Sequence, residues 1–325
     1  MRSEGRKPGG FSFIYKNYWI LVLLFLAVLC VGLYFGLSPS SDPPTDYALR
    51  IANYELDPEH ASGVLQVHML DVGHGDCLLL ISPSGSTMLV DAGDRGMFEE
   101  VLDDYLQERG IEKLDIVLHS HAHADHIGGM EALLASDYEI GCYLRPGADA
   151  GKPTKLYERL LATLAKADYP TYALSAGEPS PLGGWDEAVS VQVLSPQPGA
   201  SYSNVNDTSL VLHVAYGQTS LLLTGDAQRA AERDMLAAYG DGVHATLLKV
   251  GHHSSTTSST KTFLRGVAAD YAFISCGADY GNPKPDTLAR LSDYGIPPQN
   301  QFITLHRGTV VAYLDGTTIT FTTEK

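Results

Sequence analysis

Three histidines and an aspartate fall within six residues, His121-Ala122-His123-Ala124-Asp125-His126. Neutral imidazoles and carboxylates suit a divalent ion such as zinc. In an extended loop His121 and His123 point to the same side, because side chains alternate along extended backbone. Asp125 and His126 come where the loop turns toward helix, so the quartet divides between two neighbouring ions. Two more strand ends add candidates. Leu221-Leu222-Leu223-Thr224-Gly225-Asp226 delivers a carboxylate that either bridges two ions about 3.5–4 Å apart or caps the helix that follows it. Leu247-Leu248-Lys249-Val250-Gly251-His252-His253-Ser254 delivers two histidines. Such a set does hydrolysis: two ions lower the pKa of water toward neutrality, and the hydroxide attacks phosphorus or a carbonyl.

The elements that must position these residues are legible from periodicity. Leu114 to Leu118 reads as a short buried strand leading into the histidine cluster, and Ile127-Gly128-Gly129-Met130 as a turn that opens a helix. Ligands just past a strand end rest on a rigid element yet face a cleft. Further strands are expected at Val64–Leu70, Cys77–Ile81, Thr87–Val90, Val189–Leu194 and Thr246–Val250. Hairpins are expected at Leu210–Val214 with Ser220–Leu223, and at Val310–Tyr313 with Thr318–Phe321 around Asp315-Gly316. Helices are expected over Met97–Arg109, Lys155–Ala167 and Ala227–Tyr239. Interleaved strands and helices predict an α/β fold with sheets inside and helices outside.

Trp19 to Leu37 is an apolar run without charge, about 28 Å long as a helix, enough to span a bilayer. Arg2, Arg6, Lys7 and Lys16 precede it, while Asp42 and Asp46 follow. The expectation is an uncleaved signal anchor with a cytoplasmic N-terminus and an exported domain. The organisation is then a cytoplasmic segment 1–18, a single-pass anchor 19–37, a linker 38–62 with Pro39, Pro43 and Pro44, and a hydrolase domain 63–325. The first 37 residues hold four basic residues and one acid, so the remainder carries 18 basic against 37 acidic residues, a net charge near −19. That surface repels polyanions at long range. Outside the apolar run, which holds Cys30, the three remaining cysteines Cys77, Cys142 and Cys276 are widely spaced and odd in number, which predicts buried thiols rather than a disulfide framework.

The sequence resembles the metallo-β-lactamase superfamily, and within it the metallo-hydrolase domain of ComEC-type DNA-internalisation competence proteins, from about Leu65 to Phe321. The resemblance rests on Leu70-Asp71-Val72-Gly73-His74-Gly75-Asp76, Val90-Asp91-Ala92-Gly93, His121 to Gly129, Asn206-Asp207-Thr208-Ser209-Leu210, Thr224-Gly225-Asp226 and Val250-Gly251-His252-His253, in that order. It implies an αββα sandwich with the site at one edge. It implies two divalent ions, Zn2+ first and Mn2+ as the alternative. His121 and His123 would hold the first ion, Asp125 and His126 the second, and Asp226 would bridge them. His252 is preferred as the last ligand of the second ion, with His253 turned toward substrate. Asp71, Asp76 and Asp91 are expected behind the ligands, and Asp125, His253 and Asn206 in catalysis. Three positions depart from the subgroup's usual residues: His74, Ser254 and Asn282. They are expected on the substrate side. The chain also lacks the third first-site histidine of many superfamily members, offering Asn204, Asn206 and Asp207 in that region.

The expected activity is therefore metal-dependent hydrolysis outside the membrane, with a phosphodiester as the first substrate class. A β-lactam or other cyclic amide or ester is the alternative, and a metal-stabilised envelope module without activity is the third. The expected partners are a small-molecule or phosphodiester substrate and the membrane. Nucleic acid is disfavoured by the acidic surface, and no specific protein partner is evident.

Overall fold

The structure is a computed structural model that describes residues 63–148 and 150–325. The signal anchor and its flanking segments lie outside the described residues. Among the described residues, no helix is long and apolar enough to cross a membrane.

Among the described residues, fourteen strands form two sheets. The first contains β1 (Leu65–Met69), β2 (Leu78–Ile81), β3 (Thr87–Val90), β4 (Lys113–Leu118), β5 (Glu139–Pro146), β6 (Thr171–Leu174), β13 (Val310–Leu314) and β14 (Ile319–Thr323). Its spatial order is β14-β13-β1-β2-β3-β4-β5-β6. The second contains β7 (Val189–Ser195), β8 (Val211–Tyr216), β9 (Thr219–Leu223), β10 (Leu247–Lys249), β11 (Tyr271–Ile274) and β12 (Gln301–Ile303), in the order β12-β11-β10-β9-β8-β7. Hairpins meander antiparallel on one side of each sheet, while β3 to β6 and β9 to β12 pair in parallel.

Side chains of successive strand residues take opposite faces, and this sorts the core into layers. Leu221 and Leu223 of β9 join Val67, Met69, Ile116 and Leu118 of the first sheet in the cluster between the sheets. Leu222 turns the other way, onto Ala231 and Met235 of the helix Arg229–Tyr239 and Phe263 and Leu264 of the helix Lys261–Val267. The outer face of the first sheet is covered in the same manner. There the helix Lys155–Leu164 buries Tyr157, Leu160 and Leu164 against Val117 and Tyr143. Its N-cap Thr154 accepts a hydrogen bond from the Tyr157 N–H at 3.2 Å. The result is the αββα arrangement that the sequence implied.

The expected hairpins and early strands lie where periodicity put them, within a residue or two. The expected helix Met97–Arg109 is present as a wide turn Phe98–Leu102 running into the α-helix Asp103–Glu108. Sequence reading left β5, β6, β11 and β12 unassigned. β6 is four residues long, with Thr171, Tyr172 and Ala173 exposed, so no alternation marks it. β11 and β12 are short runs, and a short apolar run has no period of its own. Cys77, Cys142 and Cys276 are free and buried, as expected.

Candidate metal centre

The histidine cluster follows the C-terminal end of β4, Asp226 follows β9, and His252 and His253 follow β10. Register sets the ends of β9 and β10 side by side, Leu223 pairing with Lys249, and those of β3 and β4 likewise, Val90 pairing with Leu118. The two sheets are joined here by the Leu210 N–H, which donates to the Ser120 carbonyl at 2.8 Å. The loop after β1 closes over them. Gly75 has φ +137, and a Cβ there would lie 2.3 Å from the Asp125 carbonyl oxygen, so only glycine lets this backbone approach. The neighbouring Asp76 N–H donates to that same carbonyl at 3.2 Å.

Asp226 stands at the centre and is 1% exposed. Its two oxygens sort the surrounding donors. Oδ1 faces His126 Nε2 at 3.5 Å and His253 Nε2 at 3.4 Å. Oδ2 faces His121 Nε2 at 3.8 Å and His252 Nε2 at 3.7 Å. Asp125 Oδ2 completes the Oδ1 side, 3.3 Å from His253 Nε2. Two groups can thus each surround an ion, Asp125-His126-Asp226-His253 and His121-His123-Asp226. Asp226 does not cap the helix after it. The cap residue is Gln228, and Asp207 Oδ1 accepts the Gln228 and Ala231 N–H groups at 3.0 and 3.1 Å.

The donor set fits a pair of cations. Asp226 Oδ1 is buried and meets no donor in hydrogen-bonding geometry, a costly state unless a positive charge faces it. The protonation equilibria point the same way. Burial alone would push His253 down, but Asp226, Asp125 and Asp76 outweigh it and raise the imidazole to about 9. Burial likewise opposes charge on His126, and Asp226 and Asp91 raise it well above its ordinary range. Carboxylates in a dry site hold protons where metal ions would otherwise sit. His121 is held well below its ordinary value by burial and by the charge on His126, so it stays neutral.

A polar layer behind the candidate ligands fixes their orientation. Asp91 accepts from the Ser120 N–H and Ser120 Oγ, both at 2.6 Å, and from His126 Nδ1 at 2.8 Å. That leaves His126 Nε2 as the nitrogen facing Asp226. His253 Nδ1 donates to the Ser275 carbonyl at 3.0 Å, and Ser275 Oγ donates to Asp76. Asp76 is in turn paired with Lys249 Nζ at 2.5 Å, both side chains being 1% exposed. Sequence reading placed Lys249 in an apolar strand but gave it no role. A lone lysine at the inner end of a buried strand was the available signal.

The structure moves several expected residues. His252 and His253 exchange places: His253 is buried in the four-residue group, while His252 is 28% exposed and lies on the Oδ2 side. Both have left-handed backbone (φ 51 for each), so the ring nearer the strand swings outward and the next one turns in. Asp71 is not behind the ligands; it bonds the Gly73 N–H and pairs with Lys325 Nζ at 3.2 Å. Ser254 is fully buried and faces no cleft. Asn206 is buried with Nδ2 3.4 Å from His252 Nε2. His74 is half-buried, its Nε2 3.6 Å from Asp125 Oδ2 and its ring against His253 and Tyr280, with centroids 4.4 Å away in each case. A groove of about 590 Å³ opens above, lined by His74, Arg95, Met97, His123, His252 and Tyr280 among others. Asn282 does not line it, whereas Tyr280, which sequence reading did not single out, does.

The family model of the metallo-β-lactamase superfamily matches residues 70–278. The chain belongs to the metallo-β-lactamase superfamily. Within that superfamily it is similar to ComEC-type competence proteins. It is 27% identical over 249 residues to ComE operon protein 3 of Bacillus subtilis, covering 71% of this chain and 31% of that protein. It is 29% identical over 246 residues to competence protein ComA of Neisseria gonorrhoeae, covering 74% and 31% respectively. The chain thus spans about a third of the length of these relatives. Among solved structures, the metallo-β-lactamase fold protein YhfI of Bacillus subtilis superimposes with a TM-score of 0.51 at 13% identity, over 77% of this chain and 99% of that one. At this identity the metallo-β-lactamase likeness is one of fold.

Proposed function

We propose that this chain is a two-metal hydrolase of phosphodiesters, held at the outer face of a membrane by residues 19–37. The observation that carries the reading is the division of donors between the two oxygens of Asp226. His121 and His123 with Asp226 would hold one ion, and Asp125, His126 and His253 with Asp226 the other, zinc suiting this nitrogen-rich set. Such a pair supplies activated water at neutral pH and neutralises charge that develops on substrate oxygens.

The chain's own residues do the rest. Asp91 and Asp76 hold the imidazoles in one tautomer. Asp125, 24% exposed at the groove, would orient the attacking water as well as hold its ion. His74 stands on the groove floor, placed to bond a substrate oxygen, the role first expected of His253. Arg95 at the groove wall suits a phosphate, and the exposed Tyr280 ring suits an adjacent apolar or aromatic group. The similarity to competence proteins supports a phosphodiester. The net charge near −19 outside the first 37 residues favours a small or cell-envelope diester over long nucleic acid.

Purified protein loaded with two ions should turn over a chromogenic phosphodiester, with single-stranded DNA and a chromogenic β-lactam tested beside it. Turnover of the β-lactam alone would move the substrate class to cyclic amides. No turnover of any of the three, with both ions bound, would sink the hydrolase reading. Protease added to intact cells should remove the domain; full protection would overturn the proposed orientation.

A further inference from the structure

The geometry points to His252 as a ligand of the first ion, taking the place of the histidine that this chain lacks before the bridging aspartate. The inference rests on the two-ion reading above and departs from it in the ligand set. His252 Nε2 and His121 Nε2 approach the same oxygen, Asp226 Oδ2, at 3.7 and 3.8 Å. Those separations are too long for hydrogen bonds. They are close to the roughly 3.4 Å between neighbouring ligands on one tetrahedral ion with bonds of about 2.0–2.1 Å. The other histidine of the pair approaches Oδ1 instead, at 3.4 Å. Adjacent residues therefore serve opposite oxygens, and opposite ions.

Two further observations support this. Polar partners hold the His252 ring on both sides, Asn206 Nδ2 lying 3.4 Å from its Nε2. Thr257 Oγ1 and Gln228 Nε2 stand 2.9 and 3.1 Å from its Nδ1, which leaves Nε2 as the nitrogen turned to Asp226. This is how a metal-binding imidazole is held by its far nitrogen. The backbone is the second observation. His252, His253 and Ser254 have φ of 51, 51 and 68, a left-handed run unfavourable for residues with a Cβ. Strain of this kind persists where a site requires it. Here the run turns two consecutive imidazoles to opposite sides of one carboxylate.

The test is titration of the full chain, stripped of metal, with Co2+ followed by visible absorption and by equilibrium dialysis. Wild type should bind two ions with two sets of bands; fewer than two would overturn the two-ion reading and this inference together. His252→Gly, which also suits the left-handed backbone, should lose the same bands as His121→Ala and weaken that ion at least 100-fold. Asp125→Ala and His253→Ala should lose the other set. Thr257→Val leaves every ligand in place and should weaken the His121 ion about 10-fold or more. If His252→Gly keeps both ions at wild-type affinity, or loses the bands that Asp125→Ala loses, the inference is wrong while the two-ion reading stands.

Discussion

At the residue scale, the division of labour between Asp226 and Asp207 is open to direct measurement. Asp226→Ala should abolish hydrolysis and lower the metal content. Asp207→Ala should keep both ions and cost about 1 kcal/mol in unfolding free energy, as loss of a helix cap does. Equal metal loss in both would contradict the assignment. Lys249 is the clearest structural dependence. Its ammonium is buried against Asp76, which is itself linked to His253 through Ser275. Lys249→Met would leave a buried carboxylate without its counter-charge, and about 3–5 kcal/mol should be lost in denaturant unfolding. Sequence reading found the candidate ligands because metal-binding residue types stood out at strand ends. It preferred His252 for the group in which the structure buries His253, because a strand's alternation says nothing about which way a left-handed turn will throw its side chains.

At the scale of elements, three parallel strands end at the site, and one loop from the antiparallel part closes over it. That loop's fit depends on Gly75, whose missing side chain admits the Asp125 carbonyl. Gly75→Ala should weaken the Asp125-His126-His253 ion about 10-fold and lower stability by about 1–3 kcal/mol, the range for forced backbone strain. Dialysis against a metal buffer would read the first effect, and an unchanged affinity would show that the loop does not position Asp125. Of the glycines visible in the sequence at 73, 75, 128 and 129, the last three each sit where a Cβ would meet backbone, but that Gly75 is the one against Asp125 was not legible. That depends on two segments about 50 residues apart meeting across the sheet edge.

At the scale of the whole molecule, excess negative charge is concentrated in the dry centre as well as on the surface, and this couples metal binding to pH. His253, raised to about 9 from an ordinary 6.5, is protonated at pH 7 and must release that proton to bind an ion. Affinity should therefore rise with pH until about 9 and level off. Calorimetry in two buffers of different ionisation enthalpy should find net proton release at pH 7; none would contradict the assignment. The metal-free protein should behave in the opposite sense. Its folded-state pKa is raised, so the His253 contribution to stability is complete below about 6.5 and is lost as pH climbs through about 9.

The sequence by itself determined the layered fold, the family and nearly every residue of the candidate metal centre. Period-2 and helical patterns report burial, and clustered histidines report chemistry, and both are local signals. Only the tertiary structure decided which histidine meets which oxygen of Asp226. It also decided that Asp71 and Ser254 stand apart from the site and that Lys249 supports it from behind. Those outcomes follow from strand register and from three left-handed residues after β10. They are relations between distant segments that no local pattern encodes.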